Sequence, residues 1–391
     1  MRCPEVQDII RKAASLACLL LIAADVGAAL TSTLDKPAEM TALAPCTTLL
    51  DVTRAGDRII AVGDYGVVVF SDDEGASWAQ GSVPVSVTLT AVDFATPEKG
   101  WAVGHDSVII HSSDGGKAWS RQLDGFAAAR LAMEAIDARE AELESRSIEE
   151  STEPGWALQD ELDMLDFLRS EAEWAIGEGP NRPFLDVLFL DDEVGHAIGA
   201  FGDYFVTTNG GASWRSRSPW LPNPDGLHLY GISSGADNAL LIVGEYGLVL
   251  RRGGVDETWN FVRTPYEGSF FGILGQDEKV LAYGLRGNAV YSADFGTNWH
   301  PVATGTGKSL VGGTLLGEEE LLLVGLGGTT VRGALGAAQL MPQDLPSRVS
   351  MAATIPLKNG SSLVAGTHGI LKLTTSGEEQ RFQCPKNGDE T

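Results

Sequence analysis

AVGDYGVVVFSDDEGASW, residues 61–78, holds a glycine after an apolar run (Gly63), a Ser-x-Asp-x-Gly corner (Ser71, Asp73, Gly75) and a tryptophan fifteen positions past the first glycine (Trp78). The frame returns as AVGHDSVIIHSSDGGKAW (102–119), AIGAFGDYFVTTNGGASW (197–214), IVGEYGLVLRRGGVDETW (242–259) and AYGLRGNAVYSADFGTNW (282–299), with Trp119, Trp214, Trp259 and Trp299 in register. Two weaker copies, LVGLGGTTVRGALGAAQL (323–340) and VAGTHGILKLTTSGEEQR (364–381), complete the series. The anchor glycines Gly63, Gly104, Gly199, Gly244, Gly284, Gly325 and Gly366 are spaced by 41, 95, 45, 40, 41 and 41, so one period near 41 holds once some 54 residues are taken out of the long interval. Each copy reads as four short strands, two before the anchor glycine and two after it. Four strands per ~40 residues, repeated, is the pattern of propeller blades. The expected fold is all-β, a seven-bladed β-propeller over residues 46–384.

Four copies carry Ser/Thr-x-Asp/Asn-x-Gly-x-x-Trp: Ser71, Asp73, Gly75, Trp78; Ser112, Asp114, Gly116, Trp119; Thr207, Asn209, Gly211, Trp214; and Ser292, Asp294, Gly296, Trp299. Asp or Asn at such a corner accepts backbone N–H bonds, glycine supplies a positive φ, and tryptophan fills the apolar space beside it. Every polar group is thereby committed to the turn, which makes these residues structural. On these corners the chain resembles the Asp-box (bacterial neuraminidase repeat) propellers, and most of all the photosystem II stability/assembly factor family. The resemblance covers residues 46–384 outside the insertion described next, with copies four, six and seven departing from the Asp-box. It implies a noncatalytic exported scaffold or assembly factor that binds a membrane protein complex of the cell envelope, an exporter being one candidate client. The arginine-rich client face that the resemblance implies has no counterpart in this acidic chain.

Residues 122–180 contain no copy of the repeat. Phe126–Leu143 is rich in helix formers, with Leu131, Ala135, Ala138 and Glu142 at helical spacing, and Ala157–Ile176 places Leu158, Leu162, Leu165, Leu168 and Ala172 on one stripe. Pro154-Gly155 separates the two, which predicts a helical hairpin between blades two and three. A connection from strand four of one blade to strand one of the next emerges beside the turns between strands two and three. The hairpin is therefore expected beside Asp64, Tyr65, His105, Asp106, Phe201, Glu245, Tyr246, Arg286 and His368, a candidate partner face opposite the Asp-boxes.

With 53 acidic against 28 basic residues the formal charge is -25, which repels nucleic-acid phosphates and anionic headgroups. Arg2, Arg11 and Lys12 precede the uncharged stretch Ala13–Ala24 and then small residues to Ala29. That order predicts a secretory signal peptide over 1–29, its apolar run short of the ~18 residues of a span. The mature chain is expected without a membrane span, in the periplasm or outside the cell. Cleavage removes Cys3 and Cys18. The remaining Cys46 and Cys384 flank the propeller, and ring closure would bring them together as a disulfide. TGTGKS (304–309) imitates a phosphate loop, but Val302 stands where its first glycine is needed. The six histidines show no ligand spacing, so neither a metal nor another cofactor is expected. Arg54, Arg58 and Arg286 match no sialidase motif and no enzymatic activity is expected; an exported sialidase-like glycosidase or glycan-binding module is the alternative reading.

Overall fold

The computed structural model describes residues 32–149, 155–253 and 258–385; the expected leader, 1–29, lies outside the described residues. Among the described residues the strands form seven four-stranded antiparallel sheets, each taking its strands in chain order. The first blade runs through Leu49–Ala55, Arg58–Gly63, Val68–Ser71 and Ala79–Gln80, and the last through Met351–Pro356, Ser362–Gly366, Gly369–Leu373 and Glu379–Arg381. The chain is an all-β seven-bladed propeller, as its repeat predicts.

The anchor glycines are explained by crowding. Each ends its blade's second strand, and a β-carbon there would meet the carbonyl oxygen of the residue just before the first strand. The separation would be 2.1 Å from Thr48 at Gly63, 2.1 Å from Thr88 at Gly104, 2.2 Å from His228 at Gly244 and 2.4 Å from Ser350 at Gly366. The residue after the glycine donates to that same oxygen, Asp64 to Thr48 at 3.1 Å and Thr367 to Ser350 at 3.1 Å. Only a residue without a side chain lets the two backbones come this close.

Buried side chains gather between neighbouring blades. Trp119 packs with Ile60 of the preceding blade, and Trp214 joins Trp101 and Phe189, whose rings stack at 3.5 Å. The Asp-boxes seal the same seams. A β-carbon on Gly75 would lie 2.6 Å from Leu363 of blade seven, and one on Gly116 2.8 Å from Ile60 of blade one. Within the first box Asp73 accepts from Ser71 Oγ at 2.8 Å, from the Ser77 N–H at 2.8 Å and from Ser77 Oγ at 2.6 Å, while Ser71 Oγ accepts from the Gly75 N–H at 2.8 Å.

Around the axis three aspartates clasp successive blades. Asp51 accepts from its own neighbour Val52 and from Val92 of blade two, both at 2.8 Å. Asp93 does the same with Phe94 and with Phe189 of blade three, at 2.9 and 2.7 Å, and Asp186 with Val187 and with Ile232 of blade four, at 2.8 and 2.9 Å.

The insertion forms helices Gly125–Glu149 and Gly155–Glu178. Asp124 caps the first by accepting from the Ala127 N–H at 3.0 Å. The second helix keeps its expected stripe, with Leu158, Leu165 and Leu168 in the contact, Ala172 buried and only Leu162, 37% exposed, turned away; the first differs in phase, since Ile136 and Leu143 make the contact while Ala138 and Glu142 are exposed. Arg139 pairs with Glu161 and Arg169 with Asp137 and Glu140 across the hairpin, beside this apolar contact. A segment before the first blade also belongs to the fold. Leu34 and Ala38 are buried in the seam of blades one and two, and Ser86 donates its N–H to Thr33 at 2.8 Å.

Because no strand is exchanged between the chain ends, closure of the ring rests on the cluster joining blades seven and one and on the Cys46–Cys384 disulfide, whose Cα atoms lie 6.1 Å apart across 338 positions. A cross-link over so long a loop stabilises by about 5 kcal/mol in the chain-entropy limit. Cys46→Ser is expected to lower the denaturation midpoint clearly, and thiol titration of non-reduced protein should find both sulfurs blocked; two free thiols would exclude the bond.

Burial holds Asp51 at about 7 and Asp186 at about 8, against the opposing pull of their N–H donors, with repulsion among Asp51, Asp93 and Asp186 adding to the rise. These folded-state values exceed the unfolded ones, so their stabilisation is complete below the unfolded carboxylate range and is lost as pH rises through 7 to 8. The melting temperature should therefore fall between pH 5.5 and 8.5, and Asp186→Asn should flatten that fall.

Candidate functional site

First strands start, and second strands end, at the same end of the ring, as the pairing of Leu49 with Gly63 shows. The turns between strands two and three, the hairpin and the other interblade connections therefore share one face, and the Asp-boxes occupy the other. The structure places all nine residues of the expected partner face in these turns. Tyr65, Asp106, Phe201, Tyr246 and Arg286 sit at the apices with φ of 58, 56, 56, 49 and 57°. The left-handed region costs an L-residue roughly 1–2 kcal/mol. Blade six uses Gly327 at the same point, with φ 63°, so the turn itself requires nothing more than glycine. The five side chains are held there against a backbone cost, and Tyr65 and Tyr246 are 73% and 75% exposed.

The acids of this face work inward. Asp64 accepts from Thr88 Oγ1 at 3.1 Å, Asp106 from Thr33 Oγ1 at 3.2 Å, and Glu245 from the His228 N–H at 3.0 Å. Burial pushes the Asp106 carboxyl up, and burial beside Glu245 pushes the Tyr230 phenol to about 12. What the face displays outward is Tyr65, His105, Tyr246, Arg286 and His368, joined by Leu326 of blade six, while Phe201 is half-buried.

After each apex the turn presses on the following connection. A β-carbon on Gly66 would lie 2.3 Å from the Val85 oxygen, and one on Gly247 2.2 Å from that of Tyr266. Blade two carries Ser107 instead, because its connection is the hairpin: the Ser107 N–H and hydroxyl donate to the Arg182 carbonyl at 2.7 and 3.0 Å. The Arg182 side chain, 7% exposed, ties the base of the hairpin to blade three. It pairs with Glu171 of the second helix at 2.6 Å and with Asp203 at 3.1 Å, and it lies 4.9 Å over the ring of Phe201. Burial raises the Asp203 carboxyl and the Arg182 charge opposes that rise. Sequence reading missed Arg182, Glu171 and Asp203. The one available signal was Ser107, which breaks the glycine pattern in the copy just before the insertion.

Arg54 forks onto Glu74 and Arg58 onto Asp72 at the Asp-box end, the far end from Arg286, so these three arginines do not converge. TGTGKS leads into strand Leu310–Leu315 rather than into a helix. Among the described residues no group of three or more His, Cys, Asp or Glu is arranged to hold a metal, and no helix is long and apolar enough to cross a membrane.

The family profile described as photosynthesis system II assembly factor YCF48 matches residues 71–144, from the first Asp-box into the first hairpin helix. The chloroplastic photosystem II stability/assembly factor HCF136 of Cyanidioschyzon merolae is 27% identical over 205 residues, which cover 50% of this chain and 43% of that protein. The chain thus spans less than half of the length of this curated relative. Among solved structures, one described as YCF48 bound to D1 peptide superposes with a TM-score of 0.57 at 13% identity, over 84% of this chain and 93% of that one. YCF48 from Cyanidioschyzon merolae gives 0.55 at 14% identity over 86% and 97%, and the WD40 propeller of Doa1 gives 0.55 at 12% over 87% and 95%. The protein is an Asp-box β-propeller similar to the photosystem II stability/assembly factors.

If the apices are strained for display, Tyr65→Gly and Tyr246→Gly should leave stability unchanged or raise it by about 1 kcal/mol, which urea denaturation would read. A loss of more than that amount would show that the two rings support the fold.

Proposed function

We propose that the protein is a noncatalytic, exported scaffold of the assembly-factor type that holds a membrane protein complex of the cell envelope against its turn face. The observation that carries this reading is the ring of apices at which the chain keeps exposed aromatic and cationic side chains where blade six shows glycine to be sufficient. Backbone strain of this kind concentrates at functional positions. The hairpin extends the same face, and the buried Arg182 fixes its base there rather than leaving it on a free linker. Likeness to assembly factors supports the class, and the solved relative with a D1 peptide supports a membrane-protein segment as the kind of client. Export accords with the basic and apolar order of the leader, and an exporter is among the candidate envelope clients.

Affinity capture from detergent-solubilised membranes of the native organism tests the reading. The wild-type chain should retain one stoichiometric membrane protein, and a Tyr65→Gly, Tyr246→Gly, Arg286→Gly triple variant of wild-type stability should lose it. Deleting residues 125–178 in favour of a short Gly-Ser linker should leave a cooperatively folding propeller with weakened capture. Capture unaffected by both changes, or turnover of glycosides by the purified protein, would overturn the proposal.

A further inference from the structure

The upper part of the axial channel, nearest the turn face, holds a cavity of about 300 Å³ whose walls are the first strands of all seven blades. Its polar side chains are unevenly employed. Thr90 donates to the Phe184 carbonyl at 2.7 Å and Thr354 to that of Leu363 at 2.9 Å, so both are spent on the walls. Asp51 and Asp186 line the cavity with one lone pair of each oxygen taken by a backbone N–H and the other free. Tyr283 also lines it, only 4% exposed, and its hydroxyl has no hydrogen-bond partner among the described residues.

The route by which Tyr283 gets there is built into the sequence. It belongs to the second strand of blade five, one layer out from the axis, opposite Gly272 of the first strand. A β-carbon on Gly272 would lie 2.5 Å from its hydroxyl, and one on Gly313 of blade six 3.2 Å from its ring. Two glycines thus open a slot through which the phenol crosses the inner layer. The hydroxyl opens onto the channel rather than being sealed in the packing, and no protein group among the described residues uses it.

We infer that the axial cavity is a binding site for a primary alkylammonium group, carried either by a free amine or by a lysine side chain reaching in from the turn face. Three separated acceptors, on Asp51, Asp186 and Tyr283, match the three donors of an ammonium. Tyr230 and Phe271, an edge-to-face pair with centroids 5.4 Å apart, line the same cavity and favour a cation over water. Val311 and Ile355 offer apolar wall for an alkyl stem. A calcium ion would need six to eight oxygens converging at close range, and the described residues hold no group of three or more His, Cys, Asp or Glu so arranged.

The charged and titratable groups that act on one another here are Asp51, Asp93, Asp186 and Tyr283, with Glu245 behind Tyr230. Because burial makes the empty carboxyls hold protons near neutrality, a bound cation must expel them. Calorimetry of the full chain with n-butylammonium chloride, in two buffers of different ionisation enthalpy, should show saturable binding with proton release at pH 7 and almost none at pH 9. Tyr283→Phe keeps the ring and removes a hydroxyl that no internal bond uses, so it should fold normally and weaken binding roughly tenfold. Asp186→Asn should weaken it tenfold or more if it folds.

The peptide Gly-Ser-Gly-Ser-Lys-Ser-Gly-Ser-Gly distinguishes the two carriers. Binding of both probes assigns a side chain on a docked segment, and binding of butylammonium alone assigns a free amine. No saturable heat with either probe, unchanged affinity in Tyr283→Phe, or equal binding of calcium chloride would overturn the assignment. These probes act without the membrane client, so the result stands apart from the scaffold reading.

Discussion

Seven times in this chain a carbonyl oxygen just before a blade's first strand is pressed against the α-carbon that ends its second, at a distance no β-carbon could share. This contact fixes where the innermost strand begins relative to its neighbour, and a next-residue N–H bond to the same oxygen locks it. The turn between strands two and three is then delivered to one end of the ring beside the incoming connection. The display of side chains on that face is a consequence. So is the crowding at the following glycine, because a turn pinned this tightly has no freedom to move away from the loop that passes it.

The fold was legible because its constraints recur. A glycine demanded by backbone contact and a tryptophan demanded by an interblade seam repeat at one period, and repetition separates them from the ordinary scatter of composition. The hairpin was legible as two helical segments, and so was most of the second one's contact face, Leu165 and Leu168 included, but the first one's was not. Ala138 and Glu142 share a stripe with Leu131 by spacing alone, whereas the larger apolar side chains of Ile136 and Leu143, off that stripe, are the ones buried against the second helix. The axial clasps stayed hidden for another reason. Asp51 and Asp186 occupy the third position of their first strands and Asp93 the fifth, so no alignment on the repeat brings the three together. Arg182 and the segment around Leu34 were invisible because each acts through partners far away in sequence.

Charge requires similar care. A formal charge of -25 suggests a face that attracts cations along its surface. Yet Asp64, Asp106 and Glu245 are engaged as internal acceptors, and the outward residues are largely aromatic, imidazole or guanidinium. Net charge here describes solubility and long-range repulsion. What a partner would touch is decided by backbone geometry, which at three of the apices turns the side chain outward, those of Tyr65, Tyr246 and Arg286.

The disulfide and the cluster between blades seven and one, with the bonds of Arg54 to Pro356 and of Lys358 to Asp57 and Glu74, join the two ends of the ring, and each blade otherwise leans on its neighbour in sequence. A chain built this way can order itself progressively, blade upon blade, from contacts of modest sequence separation, but the seam cannot form until the final copy has been made. Closure then carries the whole non-local cost of the topology in one step, and such steps are slow. Until that step the outer side of blade one, with Leu49, Ile59 and Val69, remains an open apolar surface. The residues just ahead of it, from Ala44 to Cys46, are thus among the first of the propeller to emerge and the last to be secured, which makes the seam the interval in which the nascent ring is most exposed to aggregation.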